Sequence, residues 1–340
     1  MRILIAGHDT PGALERYFAA GLRALGHEVA ICDRFSAIAA RLKLVRVPVL
    51  STWERVWHER RYNDTLVRQA QSFQADILLV VKGVEIHPAT LAAIKRQGDT
   101  TLVNYNPDSP LNPLNTSQNM LDGIPLYDLH LTWGEFMLPH LEKLGARRVA
   151  YLPFGYDPAV QYPVELTEAE QAALGTDVCF VGSWEPQREA LLEGLAGYDL
   201  GIWGPNWDHL PRHSPLRACL RGSAVWELAA TKVIVASKIV LNFIREQNGD
   251  AHNMRTFEIP ACGRFMLTTR TREQVGFFGE DEGIACFADR EELREKVDHY
   301  LAHPAERETI AKRGHDRVTA GGHTYQDRMQ ALLEAVAALA

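Results

Sequence analysis

Short apolar runs alternate with helical repeats along the first half of the chain, and this alternation constrains the fold most. RILIA is a strand; Leu14, Phe18, Leu22 and Leu25 then recur at helical spacing, Gly26 closes the helix, and EVAIC opens a second strand. DILLVV, the Pro88-started helix PATLAAIKRQ and TLVNY repeat the theme, followed by DLHLTW, EFMLPHLEKLG and RRVAYLP. Strand–helix–strand connections predict a parallel sheet covered on both faces, with ligands at the carboxyl ends of its strands.

The pattern is interrupted once. LPFGYDPAVQYP carries three prolines before the polar ELTEAEQ, and a new apolar strand, DVCFVG, follows. The expected organisation is therefore a Rossmann-like domain over residues 1–158, a hinge over 159–176 and a second Rossmann-like domain over 177–323. Residues 324–340 form a terminal helix for which Thr324 and Asp327 suggest a cap, and Asp289 with Glu292 reads as a capping box for EELREKVDHYLAHP. With 340 residues, 46% of them hydrophobic, the chain can bury two ordinary cores.

Composition excludes several classes. A net charge of −7 argues against nucleic acid as a partner, which calls for a basic face. Five cysteines, odd in number and without a Cys-x-x-Cys pair, suggest neither a disulfide framework nor a zinc site. RILIAG lacks the charged start and long apolar run of a signal peptide, and no stretch approaches about 20 apolar residues, so a cytoplasmic location is expected.

The densest chemistry lies in IREQNGDAHNMRTFEIPACGRFMLTT. A helix beginning near Asn253, whose side chain can cap it, and ending before Gly263 places Arg255 and Glu258 three residues apart on one face. Phe257 and Ala261 would face the core, while Pro260 removes a backbone donor and predicts a short or bent helix. In this arrangement Arg255 can meet a diphosphate and Glu258 can accept from two ribose hydroxyls, with the amides of Asn253, Met254 and Thr256 facing the anion. The structural alternative is an ordinary surface Arg/Glu pair. A second anion-binding constellation is FVGSWEPQR, where Gly182 and Ser183 end a strand and Arg188 sits near a helix start; Arg188 could equally pair with Glu185 or Glu189. Lys238 and Arg245, flanking KIVLNF, are weaker cationic candidates, and Trp184, Trp203 and Trp207 are read as core before base-stacking groups.

These segments carry a family likeness. NMRTFEIPACG and FVGSWEPQR, with the less specific DILLVVKG, NYNPDSP, LPFGYDP, ASKIVLNF and HTYQDR, resemble the CgeB-type (spore maturation protein B-like) glycosyltransferases, a GT-B group related to glycosyltransferase family 4. The resemblance implies two Rossmann-like α/β domains with parallel sheets facing across a cleft, acceptor bound by the first and nucleotide sugar by the second, and a terminal helix crossing back to the first. It also implies a nucleoside-diphosphate sugar as co-substrate, no resident cofactor and no metal. In the family 4 pattern two glutamates lie eight positions apart, the second on the donor ribose and the first near the sugar. Here Glu258 matches the second, but Asp250 stands at the first, one methylene shorter, which loosens the implied retaining mechanism.

Candidates in the first domain are weaker. The loop HDTPG has a Gly-x4-Gly spacing without a P-loop's Lys-Ser/Thr, so no nucleotide is assigned there; His8, Asp9 and Gly12 are cleft candidates. Asp108, just beyond a strand, is where an acceptor hydroxyl would find a general base, although Asp before Ser-Pro also makes an ordinary turn. Lys82 and Glu85 occupy a similar strand end, and His130 inside DLHLTW reads as a core histidine. Glu280, Asp281 and Glu282 read as a solvated loop rather than a metal site. Residues 41–61, with six Lys/Arg, two Glu, Trp53 and Trp57, read first as a solvated face and second as peripheral contact with an anionic membrane. The function expected is transfer of a sugar to a hydroxyl on a glycan, lipid-linked glycan, protein or small molecule; a sugar-nucleotide epimerase and a non-catalytic sugar-nucleotide-binding protein are the alternatives.

Overall fold

A computed structural model describes residues 1–34 and 48–339, with the side chains of 48–55 outside the description. Residues 41–47 and Trp53, central to the membrane-contact reading, thus lie outside the described residues. Of its described part, Trp57 is 52% exposed and lies under the Arg61 guanidinium at 5.2 Å.

Two compact units divide the chain, one of Met1–Pro153 with Tyr325–Ala340 and the other of Phe154–Thr324. The division falls after Pro153, so residues 159–176 lie inside the second unit. They include a regular helix fastened at Thr167 and Glu170 by a reciprocal capping box.

In the first unit the order is β1 (Arg2–Gly7), α1 (Leu14–Ala24), β2 (Glu28–Asp33), α2 (Pro48–Phe73), β3 (Ile77–Val81), α3 (Pro88–Gln97), β4 (Thr101–Asn106), α4 (Gln118–Gly123), β5 (Leu129–Thr132), α5 (Leu138–Lys143) and β6 (Val149–Tyr151). Among the described residues its strands form a parallel sheet ordered β2-β1-β3-β4-β5-β6. The central strand β3 is apolar throughout because both its faces are covered: Ile77 to Val81 are all buried. The last helix of the chain (Tyr325–Ala337) belongs to this unit. It packs on α1, with the Tyr325 ring stacked parallel to that of Tyr17 at 5.2 Å.

The second unit runs through α6 (Glu168–Leu174), β7 (Val178–Val181), α7 (Pro186–Glu193), β8 (Leu200–Trp203), β9 (Leu220–Gly222), α8 (Glu227–Ala236), β10 (Ile239–Asn242), α9 (Arg255–Ala261), β11 (Met266–Thr269), α10 (Arg272–Phe278), β12 (Ala285–Phe287), α11 (Arg290–Ala302) and α12 (Pro304–Ala320). Its parallel sheet is ordered β12-β11-β10-β7-β8-β9. Renumbered within the unit, this is an open doubly-wound order in which the strand order reverses between the parallel neighbours β7 and β10, the switch point of dinucleotide-binding folds. Val178, Phe180, Ile239, Leu241, Phe265 and Phe287 fill the core beneath it.

Asp289 caps α11 by accepting from the Glu292 amide at 2.9 Å. The reciprocal half of that expected box is absent, because the Glu292 carboxylate instead accepts from the Ala288 amide and from Arg270. No described helix is long and apolar enough to cross a membrane.

Candidate functional site

Folds of this order take ligands in the crevice at the carboxyl ends of the strands where the order reverses, which in the second unit are β7 and β10. Three consecutive carbonyls at the end of β7 are gripped by side chains, two of them from distant segments. Arg255 Nε donates to Val181 O at 3.4 Å, Trp207 Nε1 to Gly182 O at 3.0 Å, and Arg188 Nη1 to Ser183 O at 2.9 Å. Arg188 Nη1 also donates to Ser183 Oγ at 3.0 Å, and the guanidinium lies 5.5 Å from the Phe180 ring.

Arg245, just past β10, completes a cationic group. Its Nη2 is 2.5 Å from a Glu185 carboxylate oxygen, which also lies 3.5 Å from Arg188. Burial, together with nearby Arg245 and Arg255, lowers the Arg188 pKa to about 10 against the opposing pull of Glu185. Lys238, at the other end of β10, pairs with Asp177 at 2.7 Å and takes no part. Of the two cations flanking that strand, only the one at its carboxyl end joins this group.

Helix α9 is seven residues long and contains Pro260, and the chain leaves it through Gly263 at φ +67°. Asn253 Oδ1 accepts from the Thr256 amide at 3.2 Å. Phe257 and Ala261 are fully buried. Arg255 and Glu258 form an ion pair, and it is not the surface pair of the structural alternative: the Glu258 side chain is 3% exposed and that of Arg255 27%. The carboxylate is thus held inside while the guanidinium reaches the crevice.

Behind α9 lies a polar network that sequence pattern did not anticipate. Gln274 Oε1 accepts from Asn242 Nδ2 at 3.1 Å, Thr256 Oγ1 at 2.9 Å and Thr268 Oγ1 at 2.9 Å, while Gln274 Nε2 donates to Thr269 O at 2.7 Å. Asn253 Nδ2 donates to Asn242 Oδ1 at 2.8 Å. Asn253 and Thr256, expected beside the donor, therefore use their side chains to hold α9 in place; Thr256 is wholly buried. Met254 is half-buried between them. Asp250 is exposed, and its carboxylate accepts from the Arg272 amide at 3.1 Å, fastening the start of α10.

Trp203 and Trp207 are each 4% exposed and belong to the core. Trp184 is half-buried, stacked on His209 at 4.9 Å and hydrogen-bonded through Nε1 to Glu189 at 2.6 Å.

Within the first unit the strand reversal falls between β1 and β3, and the expected residues cluster at that end of the sheet. Lys82 follows β3 in the left-handed region, φ +65°, and its Nζ lies 2.7 Å from Asp108 Oδ2 and 3.2 Å from Asn115 Oδ1. Asp108 is thus an ion-paired carboxylate rather than a lone base. His8 follows β1; burial and the nearby Arg34 lower its pKa, as does Lys82, with Asp33 opposing. Asp9 is exposed and makes local contacts, its amide donating to Asp33 Oδ1 at 3.2 Å, and Gly12 takes φ +76° in the same loop. Glu85 pairs with Arg34 at 2.6 Å.

His130 is 2% exposed and bonds Ile124 O at 2.9 Å. The Glu280–Glu282 loop is less free than a solvated loop would be: Glu280 pairs with Arg270, Asp281 with Lys296 and Glu282 with Arg317. Among the described residues no group of three His, Cys, Asp or Glu side chains could hold a metal ion.

Residues 187–334, which include Arg188, Arg245, Arg255 and Glu258, match the family described as glycosyl transferase-like. No curated protein matches the chain by sequence. Among solved structures, sucrose-phosphate synthase from Thermosynechococcus elongatus is similar at 14% identity over 100% of both chains, with a TM-score of 0.71. HepE from Anabaena, in complex with UDP-glucose, is similar at 13% identity over 99% of this chain and 100% of its own, with a TM-score of 0.65. The α,α-trehalose 6-phosphate synthase of Burkholderia multivorans is similar at 13% identity over 99% and 97%, with a TM-score of 0.62. At these identities the likeness establishes architecture: two Rossmann-like α/β units of the GT-B fold class.

Proposed function

We propose that this protein is a glycosyltransferase that takes a sugar from a nucleoside-diphosphate donor held by the second unit and passes it to a hydroxyl. The observation that carries the reading is the convergence of Arg188, Arg245 and Arg255 on the strand-reversal crevice of a dinucleotide-type sheet. Arg188 holds Ser183 and Glu185 through Nη1, so its Nε and Nη2 remain to meet an anion. The glycosyl transferase-like match spans these arginines, and HepE's complex with UDP-glucose makes UDP the first nucleotide to test.

In this reading the guanidiniums take the charge that develops on the leaving diphosphate, the task a divalent cation performs in other transferases. The donor subsite is Gly182, Ser183, Arg188, Arg245, Arg255 and Glu258. Gly182 lets the strand end pack closely: a Cβ there would lie 2.6 Å from the Phe180 ring. Glu258, next to Arg255, is the acceptor for ribose hydroxyls. Lys82 and Asp108 are assigned to the acceptor, with the ammonium orienting the carboxylate toward the hydroxyl proton.

The test is a thermal-shift and calorimetric screen of UDP, GDP and ADP. A bound nucleotide raises stability by about 2.7 kcal/mol at a hundredfold excess over its Kd. If no nucleoside diphosphate binds, the reading fails. Incubation with the matching nucleotide sugar and no acceptor separates the transferase from an epimerase, which would release an isomerised donor. Unchanged turnover in the presence of a chelator is expected of metal-independent transfer.

A further inference from the structure

Glu185 stands at the N-cap of α7, yet its side chain makes no capping hydrogen bond. N-caps are normally Ser, Thr, Asp or Asn, whose short side chains reach back to the helix amides. The longer Glu185 side chain turns instead to the two arginines, 3.5 Å from Arg188 Nη1 and 2.5 Å from Arg245 Nη2 through the same oxygen. It is 27% exposed, Arg188 12% and Arg245 38%. Arg245 Nε is buried without a hydrogen-bond partner among the described residues. A carboxylate so placed offers two guanidiniums the kind of oxygen that a phosphate would offer.

We propose that Glu185 is an internal competitor for the anion subsite built by Arg188 and Arg245, and that it makes this subsite select a diphosphate over a single phosphate. The proposal rests on the reading of the same crevice as a diphosphate grip. A single phosphate must displace the carboxylate from both guanidiniums and gains little by the exchange, since one anion replaces another. A diphosphate brings a second anionic group that can also engage Arg255, so the displacement becomes favourable. The same carboxylate returns to the arginines as the product leaves, which keeps release of the nucleoside diphosphate fast.

The experiment is calorimetric titration of the whole protein with inorganic pyrophosphate and with orthophosphate, for the parent and for Glu185→Gln. The parent should bind pyrophosphate at least about tenfold more tightly than orthophosphate, and Glu185→Gln should gain about tenfold for orthophosphate, the size of one charge-assisted hydrogen bond freed from a competitor. Pyrophosphate should gain less, so the ratio narrows. If Glu185 merely orients the arginines, the variant binds pyrophosphate equally or more weakly, and the proposal is overturned. A parent that binds neither anion overturns the underlying diphosphate reading instead, so the two failures are distinct. Should Glu185→Gln fail to fold, Glu185→Asp, which shortens the reach to both guanidiniums, should show the same direction of change, and its absence is equally decisive.

Discussion

Arg188 and Arg255 donate to the carbonyls of Ser183 and Val181, two residues apart at the end of β7. One arginine comes from the helix that follows β7, the other from the helix that follows β10, so a strand end that is local in space is assembled from distant segments. The anchoring explains how like charges are held together: each guanidinium is satisfied partly by backbone oxygen and partly by a carboxylate, Glu185 or Glu258. Neutralising Glu258 should therefore change the geometry as well as the charge.

Arg255 and Glu258 should show strong coupling in stability. Removing Arg255 leaves a nearly buried carboxylate without its cation, and removing Glu258 leaves a half-buried guanidinium. In a double-mutant cycle of Arg255→Ala and Glu258→Gln, followed by urea denaturation, the coupling should be about 1 to 3 kcal/mol. Each single variant should also bind UDP more weakly than the parent. Additive stability effects with parent-like binding would show that the pair serves neither purpose.

Gln274 should be among the costliest polar residues to replace. Gln274→Leu would remove the acceptor shared by Asn242, Thr256 and Thr268 and lose the bond to Thr269 O, leaving the three donors only longer contacts such as Thr268 Oγ1 to Asn242 O at 3.1 Å. Each lost hydrogen bond is worth about 0.5 to 1.5 kcal/mol, so losing the four should cost about 2 to 6 kcal/mol in urea denaturation. Because the network holds α9, UDP binding should weaken in parallel at temperatures where the variant remains folded.

The fold was legible because strands buried on both faces are mostly apolar and helices buried on one face repeat apolar residues every three to four positions. β3 and α1 show both signatures. The Arg255–Glu258 helix was legible for the same reason, through spacing. What sequence could not show was partnership. Lys238 and Arg245 flank one strand, and only the fold shows that Arg245 shares Glu185 with Arg188 while Lys238 pairs with Asp177. Asn253 and Thr256 are placed by spacing to offer backbone amides to an anion, but each of these amides donates to the other's side chain, at 3.3 Å and 3.2 Å. Asp250 sits at the spacing of a catalytic acid, yet its oxygen accepts from the Arg272 amide.

Two glycines should respond oppositely to the same substitution. Gly204 has φ +157°, and a Cβ there would lie 1.8 Å from Gly182 O, in the carbonyl run that Trp207 and the two arginines grip. Gly204→Ala should lower the melting temperature and weaken UDP binding. Gly276 sits exposed in α10, and a methyl added there would meet nothing within 4 Å. Gly276→Ala should stabilise by about 0.5 to 1 kcal/mol and leave binding unchanged.

His130 should make stability fall in mild acid. Burial draws its pKa from the ordinary 6.5 to about 4, partly opposed by the bond to Ile124 O. Between those values the unfolded chain binds a proton that the folded protein refuses. Stability is therefore fully present above pH 6.5 and declines as pH falls toward 4. The loss attributable to this residue is about 2 kcal/mol between about pH 7.5 and about pH 5. Urea midpoints at the two pH values should converge in His130→Gln relative to the parent. In the parent, the His130 C2 proton resonance should not titrate above about pH 5, a shift of its pKa by burial being the cause. A resonance that titrates near 6.5 would place this imidazole in contact with water and remove the basis for the effect.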